Sequence, residues 1–195
     1  LLLGYVTSRP HTIGYWDTTA TQSNTIHPKL QKILKDLGDE PLEVTLYTNL
    51  LGDNAGFGMP QNRNNYLAEM WEPYVRFKPD IQFKYEYYYD LPPNSDFYKQ
   101  FPNKSINEIA AKTAEAQDLT LSRFQTPERM RSKIDLRPEN LKLVLQLKFK
   151  GKTSFLRTFT TPWPYGANVA ASLMHLKADK VPRILFLTGN LERDL

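Results

Sequence analysis

Cysteine is absent from this chain of 195 residues, and histidine occurs only three times. The lack of cysteine excludes disulfide bonds, thiol catalysis and cysteine-ligated metal, and it suits an oxidising compartment. His11, His27 and His175 lie far apart, and no HExxH or other close spacing of histidine with carboxylates occurs. We therefore predict no metal site and no other bound cofactor.

Long apolar runs are also missing. No stretch approaches the roughly 20 apolar residues that a membrane-spanning helix needs. The chain begins LLLGYV at residues 1–6, without an initiator methionine. From the residues alone, this start fits either the outer end of a transmembrane helix or a boundary inside a loop.

Positive charge is not concentrated in any one part of the sequence. The chain has 25 lysines and arginines against 21 acidic residues, and the basic residues include no run of four or more. A nucleic-acid-binding protein usually gathers its basic residues on one face or in one tail, so we expect no nucleic-acid partner. Hydrophobic residues make up 41% of the chain, enough for one large domain, or one domain and the start of a second.

The first half of the chain alternates helix and strand patterns. Pro73 lies inside the second helix pattern and should kink or break that helix. We expect Tyr15 and Trp16 to anchor the extended segment that precedes the first helix. The predicted elements are an extended segment at 7–24, a helix at about Pro28–Leu37, a strand at Leu42–Thr48, a loop at 49–62, a helix at about Arg63–Phe77 and a strand at Ile81–Tyr89.

The strand at Ile81–Tyr89 alternates apolar and polar residues along most of its length. Period-two alternation is typical of a half-buried strand, with every second side chain in the core. We therefore predict that Tyr85, Tyr87 and Tyr89 are core residues and that Tyr88 is exposed. A weaker interpretation makes the tyrosine cluster a stacking surface for bases or sugars.

The second half of the chain contains a capping box and a hairpin. Ser105 and Glu108 have the spacing of a capping box, which predicts a helix from Ser105 to about Gln117. In the helix at Ala167–Leu176 we expect Ala170, Leu173 and Met174 to face inward. The other predicted elements are a short strand at Arg129–Leu136, a hairpin of 141–150 and 153–160 with Gly151 at its turn, a rigid linker at 161–164 and a buried strand at 183–189.

This order of elements predicts an α/β fold with a mixed sheet and flanking helices. Two parallel crossovers followed by a hairpin favour a thioredoxin-like arrangement without CxxC, and a flavodoxin-like arrangement is the alternative. Residues 25–180 would form the α/β domain, after an extended segment at 1–24. The last strand, within 181–195, would either complete the sheet or begin a following domain.

The loop at 49–62 is the best place for a ligand or partner, because α/β proteins bind ligands at the carboxyl ends of parallel strands. Its glycines approach the spacing of a phosphate-binding loop, but no Lys-Ser or Lys-Thr follows them. No GxSxG nucleophile motif occurs either, so we predict no catalytic residue and no cofactor-binding residue. The candidate ligand or partner residues are Asp53, Asn54, Gly56, Gly58, Gln61, Asn62 and Arg63.

Three stretches of the sequence form a series that covers most of the chain. They are TIHPKLQKILKDLGDEPLEVTLYTNL at 25–50, LKLVLQLKFKGKTSFLRTF at 141–159 and VPRILFLTGNLERD at 181–194. In this order they resemble the auxiliary proteins of gliding-motility-type ABC transporters, the Gldg family with its ABC-type uncharacterised transport system domain. Asn190 and Leu191 stand where that family often has His-Gly.

The resemblance implies a protein of the cell inner membrane, with transmembrane helices flanking a large extracytoplasmic (periplasmic) region. Residues 1–6 would then be the exit from one such helix. The function it implies is that of a non-enzymatic domain that contacts other ABC transporter subunits or the transported substrate. The alternative is a flavin- or nucleotide-binding enzyme of flavodoxin-like type, with its ligand at the loop of 49–62.

Overall fold

The computed structural model describes residues 16–20, 24–139, 141–158 and 161–178. The predicted last strand at 183–189 and most of the predicted N-terminal segment lie outside these residues. Trp16 is within them and is 90% exposed, so the prediction that it anchors the N-terminal segment is wrong.

The described chain forms four strands and seven α-helices. The helix predicted to kink or break at Pro73 continues past it to Val75. The predicted loop at 49–62 contains a single helical turn, as does the connection that follows β2. The elements are α1 (Pro28–Asp36), β1 (Leu42–Asn49), α2 (Ala55–Gly58), α3 (Arg63–Val75), β2 (Ile81–Tyr88), α4 (Phe97–Gln100), α5 (Ile106–Ala116), α6 (Pro127–Lys133), β3 (Val144–Phe149), β4 (Lys152–Arg157) and α7 (Gly166–Lys177).

The four strands form one mixed sheet in the order β2-β1-β3-β4, which confirms the predicted α/β class. Strands β1 and β2 are parallel, with Leu42 opposite Ile81 and Asn49 opposite Tyr88. Strand β3 runs antiparallel to β1, so only the first of the two predicted crossovers is parallel. The predicted β3–β4 hairpin is confirmed. Lys150 and Gly151 have φ of 46° and 77°, as a two-residue hairpin turn requires.

One face of the sheet is covered by helices α1, α3 and α7. Every second residue of β1, beginning with Leu42, points to this face, as do Leu145 and Leu147 of β3. The helices contribute Leu34, Trp71 and Leu173, each with no exposed surface. This face therefore carries the main core, because period-two strands and period-3.6 helices bury one side each.

The opposite face is only partly covered, and this corrects two predictions. Residues 129–136 were expected to form a strand, but Pro127–Lys133 is helix α6, started by the Thr126 side chain and Pro127. This segment packs Met130 and Leu136 on Tyr88 and Tyr47. Tyr88, which was predicted to be exposed, is therefore buried, with an exposed fraction of 2%. The reason is that this segment forms a third layer over the side of the strand that the alternation assigned to solvent.

A second core lies beyond the carboxyl ends of β1 and β2. It joins Leu50 and Met59, which follow β1, to Tyr89 and Leu91, which follow β2, and to Ile109 of helix α5. The prediction that Tyr89 is a core residue is thus confirmed, while Tyr85 and Tyr87 are half-buried. Residues of the long connection between β2 and β3 therefore pack against the candidate loop of 49–62 in this second core.

Helix α7 presents Leu173 to the core, as predicted, but Met174 is 58% exposed. Met174 lines a groove of about 610 Å³ between α1 and α7, together with Ile33 and Ala170. The expectation that Met174 faces inward is wrong because Val169, Leu173 and Leu176 form the inner face of this helix.

The capping box of helix α5 allows a test by pH titration. The Ser105 hydroxyl accepts from the Glu108 backbone N–H, and the Glu108 carboxylate accepts from the Ser105 N–H at 2.8 Å. The carboxylate also accepts from the Ser105 hydroxyl at 2.9 Å. The two bonds to the carboxylate, with Lys104 nearby, lower the pKa of Glu108 to about 2. Because the pKa of Glu108 is lower in the folded state than in the unfolded state, its carboxylate stabilises the fold at pH values above its ordinary pKa. This contribution is lost as the pH falls toward 2. We expect Ser105→Ala to raise the pKa of Glu108 toward its ordinary value, measured by NMR titration. An unchanged pKa would show that the Ser105 hydroxyl is not its cause.

Candidate functional site

A cleft of about 530 Å³ lies where the chain leaves β1 and enters α3. It occupies the carboxyl end of the parallel strand pair, the position at which α/β proteins bind ligands. Four of the seven sequence-predicted residues line it, and five further residues complete the wall. The lining residues are Asp53, Asn54, Gly56, Phe57, Asn62, Asn65, Tyr66, Glu69 and Trp163.

Asn49 holds the start of this loop in place. Its amide nitrogen donates to the Asp90 carbonyl at 2.7 Å, and its side-chain oxygen accepts from the Leu51 N–H at 3.1 Å. The next turn is fixed from the other side, because the Asp53 N–H donates to the Leu141 carbonyl at 3.2 Å. The floor of the cleft is thus tied to the chain that follows β2 and to the chain that precedes β3.

Helix α2 lies directly against β1 at Gly58. The Thr48 hydroxyl donates to the Gly58 carbonyl at 3.3 Å, and both residues are buried. A Cβ atom on Gly58 would overlap this hydroxyl, whereas one on Gly56 would meet nothing within 4 Å. Gly58 therefore serves the close approach of α2 to the strand, and it does not line the cleft.

Three aromatic rings form one wall of the cleft. Tyr66 and Trp163 stack with ring centroids 4.8 Å apart, and Phe57 contacts both at 6.0 and 5.9 Å. The Tyr66 hydroxyl donates to the Pro162 carbonyl at 2.6 Å, and burial raises the pKa of this phenol far above its ordinary value. This hydrogen bond fastens the proline-flanked segment at 161–164 to α3 and brings Trp163 to the cleft.

The rest of the lining is polar, and its charged side chains are acidic. Asn62, Asn65 and Glu69 recur at helical spacing and lie on one side of α3 near its start. Asp53 comes from the loop, and the Asn62 amide donates to the Gly56 carbonyl at 2.9 Å. The cleft is thus lined by two carboxylates and three side-chain amides, and none of its lining residues is lysine or arginine.

Arg63 and Gln61 do not take the positions predicted for them. The Arg63 guanidinium lies over the Tyr85 ring, 4.1 Å from its centroid, and donates to the Tyr87 hydroxyl. The Arg63 Nε atom is buried without a hydrogen-bond partner. Gln61 is exposed and does not line the cleft. Arg63 therefore packs on strand β2 and is turned away from the ligand region.

Sequence reasoning missed five lining residues, and for some of them a signal was available. Asn65, Tyr66 and Glu69 follow Asn62 at three, four and seven positions, which is the spacing of one helix face. Trp163 stood out only as an aromatic residue in a rigid linker. Nothing local to its sequence indicated that it meets residues about 100 positions earlier.

Within the described part of the chain, no group of three or more histidines and carboxylates is placed to hold a metal ion. In the same residues no helix has both the length and the apolar content to cross a membrane. Comparison with known proteins found no matching family model, no similar curated protein and no similar solved structure.

Proposed function

We propose that this chain is a non-enzymatic binding domain of an ABC transporter auxiliary protein. The cleft at the carboxyl end of β1 would be its ligand site. The transporter setting, the other transporter subunits as partners and the extracytoplasmic location rest on the sequence resemblance. That resemblance also implies attachment to the inner membrane through transmembrane helices that flank this chain.

The observation that carries the binding proposal is the composition of the cleft. The lining of about 530 Å³ combines three aromatic rings with carboxylates and amides, and most ligand sites combine apolar surface with a few converging polar groups. The lining includes no serine, threonine, lysine or histidine that could act as a nucleophile or base beside the two carboxylates. This arrangement favours binding over covalent catalysis.

The resolved pKa shifts of the described residues also favour a binding role. Hydrogen bonding with Arg137 lowers the pKa of Asp135 to about 2, and burial raises the pKa values of Tyr66 and Tyr88. The resolved shifts at lysine and arginine, as at Lys99, are upward. Of these groups only Tyr66 lines the cleft, and its pKa is shifted away from neutral pH, near which a general acid or base usually works.

The flavin- or nucleotide-binding alternative receives less support from the same cleft. Bound phosphate is usually held by cationic side chains or by backbone N–H groups at a helix start. Here Asp53 and Glu69 would repel it, and Arg63 is engaged with the tyrosines of β2. The antiparallel β3 also departs from the all-parallel flavodoxin-like order, so the strand order supports the thioredoxin-like arrangement instead.

The transporter proposal predicts specific partners. The tagged full-length gene product, purified in mild detergent from its own host, should bring down an ATP-binding subunit and a membrane subunit of one ABC transporter. Mass spectrometry would identify both, and an unrelated tagged membrane protein from the same cells is the control. If no transporter subunit were enriched above the control, the proposal that this chain belongs to an ABC transporter would be overturned. A rise in melting temperature with FMN or ATP would favour the flavin- or nucleotide-binding enzyme over the non-enzymatic domain.

A further inference from the structure

The charge of the cleft is opposite to that of the whole chain. The protein has a formal net charge of +4, yet the acidic and basic side chains that line the cleft are two carboxylates, Asp53 and Glu69, with no lysine, arginine or histidine. Neither carboxylate makes a hydrogen bond or ion pair with a described residue. Two unneutralised negative charges in one concavity create a local field that attracts cations and repels anions.

The aromatic wall adds the second attraction that an organic cation needs. The face of an aromatic ring is negative, so an ammonium group within about 6 Å of the ring centroid is stabilised, most strongly by tryptophan. Phe57 is 41% exposed, and Trp163 is half-buried beside it at 5.9 Å between centroids. Their rings offer apolar surface that a metal ion could not use and that an alkylated ammonium group would cover.

We propose that the cleft binds a small organic cation, an amine or quaternary ammonium compound. Phe57 and Trp163 would contact its alkyl groups, and Asp53 and Glu69 would balance its charge. The inference rests on the proposed binding function and gives its ligand a chemical class. The amides of Asn54, Asn62 and Asn65 would accept or donate hydrogen bonds to polar groups elsewhere on the ligand.

The test compares choline with 3,3-dimethyl-1-butanol, the neutral compound in which carbon replaces the ammonium nitrogen. The two probes have nearly the same shape, so a difference in affinity reports the charge. Binding is followed by NMR, using the indole N–H signal of Trp163 and the backbone signals of the 53–69 segment. We expect choline to bind at least about tenfold more tightly than its neutral analogue. We also expect its affinity to fall between about 50 mM and about 500 mM NaCl.

Variants then assign the effect to the cleft. Glu69→Gln keeps the size of the side chain and removes its charge, so we expect choline to bind about tenfold more weakly. Phe57→Leu should weaken choline more than the neutral analogue. Glu115→Gln, the same change at an exposed carboxylate on helix α5 outside the cleft, should leave the affinity unchanged. Circular dichroism would confirm that each variant is folded.

Three results would overturn the cation proposal. They are equal binding of choline and its neutral analogue, no binding of choline to the folded domain, and equal weakening by Glu69→Gln and Glu115→Gln. If glucose shifted the Trp163 signal and choline did not, the cleft would bind neutral polyols and the binding function would stand. The co-purification experiment does not use these probes, so the transporter proposal and the cation proposal fail separately.

Discussion

Gly58→Ala should lower the free energy of unfolding by about 3 kcal/mol, at the upper end of the range for overpacked cores. A Cβ atom at this position would overlap the Thr48 hydroxyl and lie 2.9 Å from the Thr48 methyl carbon. Thr48 is completely buried in β1 and cannot swing into solvent. Either α2 must move away from the strand or the strand must shift, and chemical denaturation would measure the cost.

The chain contains a matched control two residues earlier. Gly56 belongs to the same helix, but its added Cβ would meet nothing within 4 Å, so Gly56→Ala should be neutral or slightly stabilising. Thr48→Ala removes the overlapping hydroxyl and methyl groups, and in that background Gly58→Ala should cost less than about 1 kcal/mol. Equal effects of Gly56→Ala and Gly58→Ala would show that the close contact does not limit the packing.

The same contact links stability to the candidate site. The absence of a side chain at Gly58 lets α2 approach β1 closely. The same helix contains Phe57, which contacts Tyr66 and Trp163. A helix displaced from β1 would move the Phe57 ring and open the aromatic wall. We therefore expect Gly58→Ala to perturb the Trp163 indole signal even under conditions in which the variant is folded.

Arg131→Met should destabilise the protein by about 3 kcal/mol, because it leaves the Asp90 carboxylate buried without its cationic partner. Asp90 follows β2 with a side chain 5% exposed, and Arg131 on helix α6 contacts it through two nitrogens, one at 2.7 Å. The backbone of Asp90 is bonded to Asn49 as well. This pair therefore joins α6, the end of β2 and the turn that begins the cleft.

A neighbouring ion pair that is exposed serves as a control for the effect of burial. Arg137 contacts Asp135 through two nitrogens as well, but both of these side chains are substantially exposed. Arg137→Met should cost no more than about 1 kcal/mol, since water screens such pairs. The double variant Asp90→Asn/Arg131→Met should be less destabilised than the sum of its single variants. Additive losses, or equal losses for the two arginine variants, would show that the Asp90 pair does not form as described.

Local patterns predicted the elements that depend on near neighbours. The β3–β4 hairpin follows from alternation and Gly151, and helix α5 follows from Ser105 and Glu108. These signals are strong because turns and caps are decided within a few residues. The position of the cleft after β1 was also predictable, since the carboxyl end of a parallel strand is a general position for concave sites.

The errors arose where the environment of a residue depends on distant parts of the chain. Tyr88 was assigned to solvent by its alternation with Tyr87, but α6 returns to cover it. Arg63 followed the candidate loop directly and was expected to serve it. Its guanidinium instead lies over the rings of Tyr85 and Tyr87 on strand β2. Neither partner was visible from the residues adjacent in sequence.

By itself, then, the sequence determined the α/β class, most strands and helices, and the loop at which to look for a site. Only the tertiary structure decided the direction of β3, the layer over Tyr88 and the two walls of the cleft. Tyr66 and Pro162 are 96 positions apart, and their hydrogen bond carries Trp163 to Phe57. The physical reason is that backbone conformation responds to neighbours a few residues away, whereas burial and binding surfaces depend on which elements pack together.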